Sequence, residues 1–96
     1  MFDEVANQLL GAPGIDEGTG FGNKAGLRVG GRIFAMEVRG KLVVKLPAAR
    51  CEELVEQGAE PFVVGGRRMR EWVAVEPGAQ DWPALAREAL AFVSGR

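Results

Sequence analysis

The chain has 96 residues, 47% of them hydrophobic and 26% charged, and carries a formal net charge of -1. That balance is ordinary for one globular domain spanning residues 1–96 and excludes both intrinsic disorder and a second independently folded unit. No stretch approaches the roughly 20 apolar residues that cross a bilayer, so no membrane partner is expected.

Phe2, Val5, Ala6, Leu9 and Leu10 fall at i, i+3, i+4, i+7 and i+8 and predict an N-terminal helix with one apolar stripe. Gly11, Pro13 and Gly14 stop it. Residues 18–26, GTGFGNKAG, then raise the question of a phosphate cradle. The P-loop pattern, GxxxxGK followed by Ser or Thr, is absent. Gly20 to Ala25 fits GxGxxA, but the dinucleotide fingerprint has to follow a strand and open a helix, whereas these glycines precede a strand. The segment is read as a flexible entry, with Phe21 anchored under the first helix and Lys24 solvated.

Three apolar runs follow, AGLRV, RIFAMEV and KLVVKL, separated by glycine turns. Gly30-Gly31 predicts a two-residue hairpin that pairs Leu27 with Phe34 and Ala25 with Met36. For the second hairpin, a two-residue Arg39-Gly40 turn would put Lys41 and Lys45 on the face of Phe34 and Met36. A three-residue loop, Arg39-Gly40-Lys41 with a bulge, puts Leu42, Val44 and Leu46 there instead and is preferred. One face then carries Ala25, Leu27, Val29, Phe34, Met36, Val38, Leu42, Val44 and Leu46 as the core. The other carries Lys24, Arg28, Ile33, Ala35, Glu37, Val43 and Lys45.

Pro47 opens a second helix, with Cys51, Leu54 and Val55 inward and an end near Gly58. EPFVV gives a short extended piece, Gly65-Gly66 a turn, and about Met69 to Val75 a strand. Asp81 is the expected N-cap of a last helix, with Pro83 in its first turn and Gly95 at its end. Trp82, Leu85, Ala86, Ala89, Leu90 and Val93 form its stripe. The order α-β-β-β-α-β(β)-α predicts a single α+β domain, a mainly antiparallel sheet with helices on one face.

Charge is segregated along the chain: residues 24–50 hold seven basic side chains against Glu37 alone, a local balance of +6. Such a block marks either an anion-binding face or the solvated side of strands. The sequence has no histidine and no tyrosine, and its only side-chain hydroxyls are Thr19 and Ser94. Ser-His-Asp and Cys-His nucleophile systems and histidine-bound metals are therefore excluded, and neither cofactor nor metal is expected. Cys51 reads as a small buried core residue, and Asp16, Glu17, Glu52, Glu53 and Glu56 as solvated carboxylates rather than acids or bases of an enzyme. A single cysteine fits a reducing compartment, and Asp3 and Glu4 replace the basic start of a signal peptide, so the protein is expected in the cytoplasm.

FGNKAGLRVGGRIFAMEVRGKLVVKL, a proline-led helix ending in EPF, and MREWVAVE together resemble the N-terminal domain of the TfoX/Sxy competence-regulator family. MmcQ/YjbR-like domains are a neighbouring group with a similar layout. The resemblance covers about residues 18–93 and is most specific at Phe21-Gly22, Gly31 to Met36, Glu60 to Phe62 and Met69 to Val73. It implies a fold like that of secretion chaperones and a link to transcriptional regulation of competence genes; the neighbouring group is often described as DNA-binding. It supplies no catalytic residue. Full-length regulators continue into a second helical domain beyond the position of Arg96, so this chain is expected to act as a stand-alone interaction module.

The expected function is a non-enzymatic regulatory binding module. Its partner surface is the helix-free sheet face together with the Arg67-Arg68-Met69-Arg70-Glu71-Trp72 segment, with Arg28, Lys41, Lys45, Arg67, Arg68, Arg70 and Trp72 as contact residues and alternation placing Arg70, Trp72 and Ala74 on one side of the last strand. Aromatic and arginine side chains together suit a partner surface, although the size of Trp72 equally suits core burial. The partner is nucleic acid or protein; the alternative is a homodimer through Ile33, Ala35, Val43 and Trp72, apolar residues that interrupt the basic face, and a minor alternative is an enzyme using the carboxylates of Asp16 with Glu17 or of Glu52, Glu53 and Glu56.

Overall fold

The computed structural model describes residues 2–18 and 25–95. Phe21 and Lys24, and with them the expected anchor beneath the first helix, lie outside the described residues. The elements run α1 (Phe2–Leu9), β1 (Ile15–Glu17), β2 (Gly26–Val29), β3 (Arg32–Val38), β4 (Lys41–Lys45), α2 (Ala48–Glu56), β5 (Glu60–Val64), β6 (Arg67–Val75) and α3 (Trp82–Ser94). The expected α+β order is present, with one addition: Ile15–Glu17 is a short strand, and it forms the edge beside β2. Among the described residues every strand pairing is antiparallel, and the six strands lie in the order β1-β2-β3-β4-β6-β5.

The helices cover one face. α3 lies over β3 and β4, α2 over β6, and α1 against α3. Between helices and sheet sits the main core, in which Phe34, Leu42, Val44, Leu46, Val73 and Val75 meet Leu54, Trp82, Leu85 and Ala89. Each helix follows from its sequence. α1 buries Phe2, Val5, Ala6 and Leu9. α2 starts directly after Pro47 without a side-chain cap. The Asp81 side chain accepts a hydrogen bond from the Ala84 amide at 3.1 Å, the N-cap expected for α3. Trp82 is 2% exposed, and its indole N–H donates to the Glu76 carbonyl at 3.2 Å, so burial leaves no polar atom of the ring unpaired. Arg50 ties α2 to α3 through Glu88 at 2.9 and 3.1 Å; that hydrogen bond, and then the one to Glu53, holds its guanidinium pKa above the ordinary value.

Three hairpins turn on two residues with positive φ, the signature of type I′ turns whose twist matches that of the strands. They are Gly30-Gly31 (57° and 80°), Arg39-Gly40 (53° and 78°) and Gly65-Gly66 (58° and 79°). The second corrects the sequence expectation of a three-residue loop, because Val38 pairs with Lys41 and Glu37 with Leu42.

The first hairpin supplies the missing shift in register. Arg28 pairs with Ile33, but Leu27 pairs with Ala35 and Gly26 with Met36, so Phe34 is an extra residue bulged out of the ladder. The expected pairs Leu27 with Phe34 and Ala25 with Met36 are therefore corrected. The bulge brings Phe34 and Ala35 both into the helix-side core, and both are fully buried there. Met36 and Val38, expected in that core, join Ile33 and Val43 on the opposite face. Either placement of the extra residue lets Leu42 and Val44 share the face of Phe34, and a small alanine at position 35 suits the close approach of α3, whose facing residues include Ala86 and Ala89.

Arg39 is the one described non-glycine residue with positive φ and has no ion pair among the described residues. Arg39→Gly is expected to raise stability by about 0.5–1 kcal/mol, because relief of a left-handed backbone (about 1–2 kcal/mol) outweighs the freedom glycine adds to the unfolded chain (about 0.5–1 kcal/mol). Urea unfolding midpoints check this, and an unchanged or lower midpoint contradicts the type I′ turn.

Cys51 is 1% exposed, its Sγ lies 3.7 Å from the Leu46 carbonyl oxygen, and burial pushes its thiol pKa above the ordinary 9.0. At neutral pH the folded protein should resist thiol reagents and react fully once denatured. The thiol ionises at a lower pH in the unfolded chain than in the fold, so its contribution to stability is full below about 9 and is lost as pH rises through the folded value. Cys51→Ala should therefore flatten the alkaline limb of a stability profile; an unaltered limb would place the charge-sensitive group elsewhere.

Candidate functional site

The helix-free face is not a uniformly polar, solvated side. Met36, Val43 and Ala74 form a second apolar cluster there, joined by half-buried Ile33, Val38, Phe62 and Trp72. Phe62 arrives from β5 because the last hairpin is irregular: Pro61 pairs with Val73 but Val63 with Arg68, so β6 spends five steps where β5 spends two. Lys45 pairs with Trp72 at the end of β4, and the part of β6 before Trp72 runs on beyond it. The tip of the β5–β6 hairpin therefore overhangs, which accounts for the exposure of Val63 (55%), Val64 (54%) and Met69 (37%).

Under this overhang lies a cleft of about 650 Å³ whose lining includes Arg32, Ile33, Met36, Phe62, Met69 and Trp72. A second cleft of about 530 Å³, lined by Val38, Lys41, Val43, Glu60 and Ala74 among others, shares Phe62 and Val64 with it. Volumes of this order are typical of ligand sites. The rings of Phe62 and Trp72 lie 6.4 Å apart and tilted by 50°, and Lys45 Nζ sits 5.6 Å from the centre of the Trp72 ring. Trp72 is thus neither in the main core nor free in solvent; the tryptophan buried in the main core is Trp82.

The seven residues expected to meet a partner are not brought together. Arg28 sits towards the β1 edge, paired with Asp16 at 2.7 Å, and a Cβ on Gly18 would approach its guanidinium to 3.4 Å. Lys41 is paired with Glu60 and, at 3.3 Å, with Glu76. Lys45 lies 3.9 Å from Glu71. Arg68 reaches across to α2 and Glu52 at 2.5 Å, on the helix side of the sheet. Arg67 and Arg70 are exposed on β6, where they flank Met69 and precede Trp72.

Two of the residues expected at a homodimer surface are also corrected. Ala35 is fully buried in the main core, and Val43 is 1% exposed, so neither reaches a partner. Sequence reasoning missed Met36, Phe62 and Arg32 as lining residues and reached Met69 only as a member of the Arg67 to Trp72 segment. Period-two counting would have found Met36 only with the Phe34 bulge in hand, and Met69 only with the irregularity of β6.

Among the described residues, Arg32, Arg39, Arg67 and Arg70 have no ion pair. Arg32 begins β3 and Arg67 begins β6, and antiparallel pairing through β4 sets both at the end of the sheet where Trp72 lies; Arg39 is at the other end. The excess positive charge of the sequence block is therefore not spread over the face. Part of it is matched to nearby carboxylates; among the described residues the part without an ion pair at the first cleft is Arg32, while Arg67 and Arg70, outside the block, are exposed on the β6 segment that carries Met69. Among the described residues no helix is long and apolar enough to cross a membrane.

The family model YjbR matches residues 10–91, which takes in every strand, α2 and most of α3. No curated protein matches the chain, and no solved structure does. The match is to the group that the motifs FGNKAG, EPF and MREWVAVE suggested as the neighbour of the competence regulators, and over that span the chain belongs to the YjbR family.

Proposed function

We propose that this YjbR-family domain is a non-enzymatic regulatory binding module whose working surface is the helix-free face of its sheet. The observation that carries the reading is the composition of the first cleft, where apolar side chains, a tryptophan and an arginine without an ion pair among the described residues line one concavity. Clefts of this make-up, apolar with a few polar groups at the margin, are where ligands and partner side chains are held. Catalysis is not part of the proposal, since the sequence lacks histidine and tyrosine and its one thiol is buried with a raised pKa. The tie to transcription and competence rests on the likeness of the Gly31 to Met36 and Met69 to Val73 motifs to TfoX/Sxy regulators. A cytoplasmic location rests on the single cysteine.

A neutral apolar dye, N-phenyl-1-naphthylamine, tests the surface without testing charge. The wild-type protein should enhance its fluorescence, and Ile33→Asp and Met69→Asp, each checked for native circular dichroism, should each remove most of the enhancement. No enhancement with wild type, or equal enhancement in both variants, contradicts the reading.

A homodimer is the second reading, favoured by one observation: β5 is an edge strand with Val63 and Val64 exposed. Light scattering over a wide concentration range should then show a rising mass that Val63→Lys with Val64→Lys abolishes. A constant monomer mass removes that reading.

A further inference from the structure

We infer that the occupant of the first cleft is an acidic peptide segment with an aliphatic or aromatic anchor, the anchor entering between Met36 and Trp72 and the carboxylates meeting Arg32, Arg67 and Arg70. The inference rests on the proposal that the helix-free face is the working surface, and names what that surface selects.

Charge complementarity is the first argument. Lys41, Lys45, Arg28 and Arg68 already face carboxylates, whereas Arg32, Arg67 and Arg70 have none among the described residues. Arg32 lines the cleft, and Arg67 and Arg70 lie on the β6 segment before Trp72 that also carries the lining residue Met69. A guanidinium offers a planar fork of donors that matches a carboxylate with two parallel hydrogen bonds. One such group in the lining, with two more on the β6 segment that carries Met69, fits a ligand that carries acid next to an apolar side chain.

The walls give the second argument. Met36 and Met69 line the cleft, and unbranched thioether side chains adapt to anchors of different shape, as peptide-binding surfaces require.

Nucleic acid fits less well for two reasons visible at the site. Binding of single strands uses aromatic faces open to stacking, but Lys45 sits over the Trp72 ring and Phe62 is tilted against it. A phosphate backbone also needs a continuous track of cations, and here Glu71 stands beside Lys45, and Glu60 and Glu76 beside Lys41.

The test is fluorescence anisotropy with three labelled probes: a short peptide with Phe and Leu separated by Asp and Glu, the same peptide with Asn and Gln in place of the acids, and a single-stranded oligonucleotide. The acidic peptide should bind at least about tenfold more tightly than its amide counterpart, a difference of about 1.4 kcal/mol. The triple variant Arg32→Gln, Arg67→Gln, Arg70→Gln should erase that difference while leaving the native circular dichroism intact. Equal binding of the amide peptide, tighter binding of the oligonucleotide, or no peptide binding while the dye still binds each overturns the inference and leaves the proposed working surface standing. Loss of dye binding in the wild-type protein overturns both.

Discussion

Side chains on a strand alternate with a period of two, so every hairpin in this domain has to be in phase with the next or one face would bury lysine. Gly30-Gly31 fixes Val29 opposite Arg32, and Arg39-Gly40 fixes Val38 opposite Lys41. Without an extra residue between these turns, Lys41 and Lys45 would lie under the helices and Leu42 and Val44 would face away from them. Phe34 is that residue. Its bulge keeps Leu42, Val44 and Leu46 in the main core and, by the same shift, moves Met36 and Val38 across to the helix-free face. The apolar cluster there, and the cleft built on it, exist because the shift falls inside β3 rather than in the loop after it.

The same geometry governs the charges. A run of seven basic residues reads as a basic surface, yet cross-strand and cross-element neighbours answer most of them: Asp16 for Arg28, Glu60 and Glu76 for Lys41, Glu71 for Lys45, Glu53 and Glu88 for Arg50. These are exposed or half-exposed pairs and contribute little to stability individually. Their consequence is for the distribution of charge: among the described residues, arginines without an ion pair are left at the two ends of the sheet, Arg32 and Arg67 at the end of Trp72 and Arg39 at the other. The overhang of β6 past β4 then sets apolar Val64 and Met69 next to that charge.

Much of this was legible in the sequence. Helical stripes identified α1, α2 and α3 together with their inward residues, and Asp81, Pro47 and Gly95 marked boundaries that the fold uses. Glycine pairs identified two of the three tight turns. What could not be read was the position of the extra residue, because a bulge at Phe34 and a longer loop at Arg39 bury the same Leu42, Val44 and Leu46. Only packing against α3 separates the two, and that is a tertiary effect. Ile15–Glu17 was invisible for a different reason: three residues show no alternation, and their strand state comes from pairing with β2. The placement of Arg67, Arg70 and Trp72 on one strand, β6, was legible from alternation and the Gly65-Gly66 turn. The ion pairs of Arg28, Lys41 and Arg68 were not legible because their partners are distant in sequence, the Arg68 pair crossing from β6 to α2.

Met36 reports directly on the bulge. Nuclear Overhauser contacts from its methyl group, measured on the wild-type protein, distinguish the two faces without substituting any residue. The account predicts contacts from Met36 to the ring protons of Trp72 or Phe62, with Phe34 and Ala35 both showing contacts to α3. Contacts from Met36 to Ala86 or Ala89, with Ala35 on the opposite face, would place the extra residue in the loop after β3 and contradict the origin of the cleft.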